Sequence, residues 1–208
     1  MKNKLTLIAF TFFSISFAQN VNIATKDGET IYSSQNYVVE KNNVNDAFYI
    51  DKEYKPATVK NYIGTRNYRY NANTDDLEYV DGKKLFNLEK QDGLQVDFIN
   101  GVTYRFLTYI NKDGKFEKGF LQTLTDKNSK NVLYKFVRIT KSEKNNTNSY
   151  NNMETVKFRT TIDYYIGDET SAKFVSNKNK EFNDITKANG LNLKKEQDLI
   201  KLVDILNK

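Results

Sequence analysis

Six of the nine glycines follow an acid or amide residue: Gly28, Gly82, Gly93 and Gly114 come after Asp, and Gly101 and Gly190 after Asn. Such pairs reach positive φ at little cost, and tight hairpin turns and helix C-caps require that conformation. Between these marks lie short runs rich in β-branched and aromatic residues, so the chain should fold back on itself roughly every 8 to 12 residues. The pattern predicts strands at 57–62, 67–71, 77–80, 84–88, 94–99, 103–110, 115–124 and 132–140. It predicts two more at 156–166 and 172–175. Residues 103–110 alternate most clearly, with Tyr104, Phe106, Thr108 and Ile110 on one face and Thr103, Arg105, Leu107 and Tyr109 on the other. The expected fold class is mainly β (α+β): an antiparallel β-meander closing as a sandwich or barrel, with a C-terminal helical pair.

The helical pair shows as a change of period. Residues 180–189 carry Phe182, Ile185 and Ala188 ahead of an Asn189-Gly190 cap. Residues 193–206 carry Leu199, Leu202, Val203 and Leu206 in one apolar stripe, with Asn192 as the expected N-cap. A helix this short gains little stability alone in water, so its stripe is expected to dock within the chain, on the sheet or on Phe182 and Ile185. Acids at Glu196, Asp198 and Asp204 argue against a DNA-reading helix pair.

The other end reads as an export leader. Lys2 and Lys4 precede an apolar run from Leu5 to Phe17, too short for the roughly 20 residues a membrane-crossing helix needs. Ser16 and Ala18 then supply the small side chains that a signal peptidase requires, placing cleavage between Ala18 and Gln19. The expectation is Sec-dependent export to the periplasm or beyond, with no transmembrane segment in the mature chain. With no cysteine to carry a lipid, the protein is not expected to be a lipoprotein. The domain organisation follows: signal peptide 1–18, irregular lead-in 19–52, antiparallel β domain 53–140, polar linker 141–152, and a strand pair plus two helices over 153–208. The lead-in has room for two short strands, 30–32 and 37–40.

Composition narrows the chemistry. The chain has no Cys and no His. Disulfides, zinc-thiolate sites, and Ser-His-Asp or Cys-His catalysis within the chain are thereby excluded. No cofactor is expected. Removing Lys2 and Lys4 leaves 30 cations against 26 anions, a net +4 interspersed along the chain, which is solubilising charge and not a nucleic-acid footprint. Arg66, Tyr68, Arg69 and Tyr70 interleave cations with aromatics and are the candidate ligand-binding residues, a pattern on which a glycan or, less in keeping with the charge, single-stranded nucleic acid could stack. Asp75, Asp76 and Glu78 are the densest acids and the weak candidates for a hard cation, although such a site usually needs more converging oxygens, and no metal is expected. Residues 111–120 fail the EF-hand template, whose first and twelfth positions would fall on Tyr109 and Phe120; a hairpin accounts for them.

Two passages carry a resemblance. One runs through Tyr54-Lys55-Pro56-Ala57-Thr58-Val59, Tyr70-Asn71-Ala72 and Leu77-Glu78-Tyr79-Val80. The other joins Asp163-Tyr164-Tyr165-Ile166 to Lys194-Lys195-Glu196-Gln197-Asp198-Leu199. Together they resemble an uncharacterised group of exported Bacteroidota proteins with a leader, a sheet punctuated by Asp-Gly turns and a terminal Lys-Lys-Glu-x-Asp-Leu helix. The resemblance implies fold and location, and it carries over no catalytic residue. The functional expectation is a non-enzymatic binding or structural component of the bacterial envelope, its partner an envelope protein or a glycan. The alternative is a secreted hydrolase using a carboxylate pair, which needs only two suitably spaced acids.

Overall fold

The computed structural model describes residues 46–144 and 155–208, together with three short strands ahead of them, β1 (Thr25–Lys26), β2 (Glu29–Thr30) and β3 (Asn36–Tyr37). The leader, including Ala18 and Gln19, lies outside the described residues, as do 31–32 and 38–40 of the lead-in. A short 3-10 turn, Asp46–Phe48, precedes β4 (Lys55–Val59), β5 (Thr65–Asn71), β6 (Asp76–Asp81), β7 (Lys84–Asn87), β8 (Gln95–Phe98), β9 (Thr103–Ile110), β10 (Phe116–Thr123), β11 (Val132–Lys144), β12 (Thr155–Gly167) and β13 (Ser171–Phe174). Two helices close the chain, α1 (Lys180–Ala188) and α2 (Glu196–Leu206). The turn chemistry is visible in the backbone: Gly82, Gly93, Gly101, Gly114 and Gly190 all have positive φ.

The fold is mainly β with two C-terminal helices, and it closes as a barrel. Strands β9 to β13 form a five-stranded ring. Four of its seams are antiparallel, and the fifth is a parallel seam of β13 against β9, pairing Ser171 with Thr108 and Lys173 with Ile110. That parallel seam is a departure from the all-antiparallel expectation, and it ties 53–140 to 153–208 in one sheet. The polar stretch is also shorter than expected, because β11 and β12 pair across thirteen residues each, from Val132↔Gly167 to Lys144↔Thr155.

β9 is the shared wall. Its second half pairs with β13, while its first half pairs with β8, which leads outward into β4, β5, β6, β7 and β3. The alternation read from residues 103–110 therefore separates two buried faces. Leu107 and Tyr109 fill the barrel with Tyr134, Phe136 and Tyr165. Tyr104 and Phe106 face a second core, shared with Tyr70, Leu77, Val96 and Phe120, where the outer sheet wraps the barrel.

A third core lies under the helices. Leu199, Leu202 and Val203 have no exposed surface and pack with Leu133, Ile166 and Phe182. The stripe thus docks internally on the outer face of β11 and β12. Asn179 N-caps α1 by accepting from the Phe182 N–H at 3.4 Å. The start of α2 corrects the expectation. Its N-cap is Lys195, without a side-chain bond; Asn192 forms a local turn instead, accepting from the Lys194 N–H at 2.9 Å. Among the described residues no helix is long and apolar enough to cross a membrane.

Candidate functional site

Period-two geometry puts Arg69 and Glu78, a directly paired couple on β5 and β6, on one side of the hairpin, and Tyr68, Tyr70, Leu77 and Tyr79 on the other. The first side is buried by residues 46–54. Arg69 lies 3.6 Å from the Glu78 carboxylate, with its guanidinium 3.5 Å from the centre of the Tyr49 ring and 4.5 Å from that of Tyr54. Glu78 also accepts from the Tyr49 hydroxyl at 2.8 Å and the Asn71 amide at 2.7 Å. Burial, then the neighbouring Glu78, push the Tyr49 phenol far above its usual range. Arg69 donates to the Lys52 carbonyl at 3.3 Å, but its Nε has no acceptor. This cluster clamps the lead-in to the sheet. Arg66 sits apart, 4.3 Å above the Tyr79 ring.

Tyr68 and Tyr70 reach the other side, where they join Tyr104 and Phe98 in the floor of a cleft of about 130 Å³. Tyr70 stacks on Tyr104 at 4.8 Å, and Phe98 meets Tyr104 edge-on at 6.0 Å. Burial raises the Tyr68 phenol to about 12. The rim carries the polar side chains of Asp51, Glu53, Lys55, Asn100 and Gln122 beside the apolar Ile50 and Val102. Asp51 is ion-paired with Lys55, and the bond from Lys55, followed by that from the Glu53 N–H, holds its carboxyl below the usual range. Three of the four sequence candidates, Tyr68, Arg69 and Tyr70, thus border one cleft, with the Arg69 guanidinium held in the cluster on the other side of the strand. Phe98, Asn100, Tyr104 and Gln122 were not singled out, because they arrive from β8, β9, β10 and the β8–β9 turn, and no local motif marks them.

The three acids do not converge. Asp76 pairs with Lys90 at 2.9 Å, and Glu78 belongs to the Arg69 cluster. Asp75, at φ +57°, turns its carboxylate inward between β10 and β11, whose ladder is confined to Gln122↔Lys135 and Thr123↔Tyr134. There it accepts from the Tyr70 hydroxyl at 2.8 Å and from the Phe120 backbone N–H at 3.1 and 3.2 Å. Gly119 makes room, since a Cβ there would lie 2.8 Å from the carboxylate. Burial pushes Asp75 up to about 7 despite those donors and Lys90, which pull it down. Among the described residues no group of three acids, His or Cys is placed to hold a metal ion.

The cleft has an apolar floor and hydrogen-bonding groups around the lip, and the Asp51 carboxyl on its rim is held below the usual range. No protein-family model matches the chain, and comparisons with curated proteins and solved structures return no match.

Proposed function

We propose that this is an exported, non-enzymatic binding component of the bacterial envelope, and that its cleft over Tyr68, Tyr70, Tyr104 and Phe98 receives one sugar ring of a glycan. The leader sequence and the resemblance to exported Bacteroidota proteins supply the location. The carrying observation is the pairing of an aromatic floor with a rim of amides and charges, Asn100, Gln122, Glu53 and Lys55. A sugar needs both, an apolar surface for its C–H face and donors and acceptors for its hydroxyls. The volume of about 130 Å³ is well under the roughly 300 Å³ at which drug-sized pockets begin, so a single ring fits and a longer chain continues outside.

A carboxylate-pair hydrolase would need an acid kept protonated at its cleft. The acid that burial raises here, Asp75, is occupied behind the floor by Tyr70 and Phe120. That weighs toward binding. The test is a titration of the mature chain with a panel of neutral monosaccharides, followed by backbone NMR. A fitting sugar shifts the resonances of 98–104 and 122 saturably, and Gln122→Ala or Asn100→Ala weakens it without lowering the melting temperature. Titrations that never saturate, or rim variants that bind like the parent, sink the proposal.

A further inference from the structure

β12 is thirteen residues long, yet β13 accompanies it only at Tyr165, Ile166 and Gly167. The Val175 N–H still donates to the Tyr164 carbonyl at 2.8 Å, and then the chain leaves for α1. Since Tyr164 faces that lane, strand alternation turns the N–H and C=O groups of Ile162, Thr160 and Phe158 to the same edge. Among the described residues no strand pairs with them there. Among the described residues the lane is unoccupied, and it continues the line of β13.

Its two faces differ. On the outer face Phe158, edge-on to the Phe48 ring at 5.4 Å, and Ile162 are 39% and 46% exposed. On the inner face Arg159, Thr161 and Asp163 line the barrel mouth, a cavity of about 280 Å³ that also contains Arg138, Glu117 and Tyr165. Six charged side chains line that mouth, Lys112, Asp113, Glu117, Arg138, Arg159 and Asp163, and two of them meet: Glu117 accepts from Tyr109 at 2.8 Å and Asn111 at 2.7 Å and lies 3.9 Å from Arg138. The Arg159 guanidinium and the Asp163 carboxylate have no hydrogen-bond or ion-pair partner among the described residues.

We propose that the free edge of β12 takes up a short peptide with both termini charged, antiparallel in the lane beyond β13, its amino group at Asp163 and its carboxylate at Arg159. The polarity agrees on two counts. A strand antiparallel to β12 runs from 163 toward 159, which brings an ammonium to the acid and a carboxylate to the guanidinium. Four residue steps along a strand span about 13 Å, the length of an extended tri- or tetrapeptide. Backbone pairing supplies affinity, and alternate side chains of the peptide cover Phe158 and Ile162.

The probe is tetra-alanine, compared with its N-acetylated, C-amidated and doubly blocked forms, titrated by NMR into the mature chain. The free peptide is expected to bind with shifts along 158–164, and each single block to weaken it about threefold to fivefold, the worth of an exposed ion pair. Arg159→Gln should remove the penalty for amidation only, and Asp163→Asn that for acetylation only. Equal binding of all four peptides overturns the proposal, as does absence of binding to any. A concentration-dependent dimer abolished by Ile162→Lys also overturns it, because the lane then belongs to a second copy.

Discussion

The barrel and the sheet that wraps it close by different means. The ring from β9 to β13 shuts through backbone ladders, and its interior is aromatic and aliphatic around Tyr134, Tyr165 and Leu121. Among the described residues the outer sheet, β8 through β3, has no ladder back to the barrel's far side. Beyond the β8–β9 ladder and the shared apolar core, it is fastened by single bonds: the Ile139 N–H donates to the Ala72 carbonyl at 2.9 Å, the Asp75 carboxylate accepts from Phe120, and the Arg69–Glu78 couple binds the lead-in. A ladder spreads its strength over many equivalent bonds. A wedge concentrates it in a few buried polar side chains, each of which can be removed by one substitution.

The contrast can be broken most severely at Arg69. Arg69→Met leaves Glu78 buried beside neutral donors alone and should cost about 3 to 5 kcal/mol by denaturant unfolding. Hydrogen exchange should quicken first in β5 and β6; loss spread evenly over β11 and β12 would erase the distinction. The barrel-side counterpart is Leu202→Asp, which puts a charge in the core under α2 and should cost about 3 kcal/mol or more. An unchanged melting temperature there would contradict the internal docking of the helix. Gly119→Ala asks how tightly the wedge is fitted. Its new methyl meets the Asp75 carboxylate and the Tyr109 ring, at 2.8 and 3.3 Å, and should cost about 2 kcal/mol, as overpacking does.

The mildest probe is pH. Asp75 binds its proton more tightly folded than unfolded, so its contribution is present at acid pH and declines as pH rises from about 4 to about 7. Asp75→Asn keeps an oxygen acceptor for Phe120 and removes the ionisation, so its stability should fall less between pH 5 and pH 8. Parallel stability curves for parent and variant would show that Asp75 does not titrate there.

These differences bear on what a sequence discloses. The turns were legible because Asp-Gly and Asn-Gly act locally, and Gly82, Gly101 and Gly114 stand where hairpins need them. The helical stripe was legible for the same reason. The parallel seam of β13 and β9 was not, since three paired residues separated by some sixty others leave no periodic trace. Nor was the part Asp75 plays, which depends on Gly119 and Phe120 arriving from β10. Asn192 misled because its side chain found a nearer N–H before the helix began. Of the cleft, Tyr68 and Tyr70 showed as an alternating pair, while the residues that complete it lie on strands whose meeting no local rule specifies.

The way the ring shuts also sets an order in time. The β9–β10 hairpin forms across a turn of five residues, from Asn111 to Lys115, and the β11–β12 ribbon reinforces itself along its length. The β13 seam must instead wait for the chain to travel from Ile110 to Ser171, and only three residue pairs reward the closure. Long loops and few contacts make a late step in folding. On the newly made chain, the aromatic interior around Tyr109 and Tyr165 stays open until that step. The interval is also when β12 has its longest unpaired edge, so a chaperone that shields this one strand would protect the whole barrel.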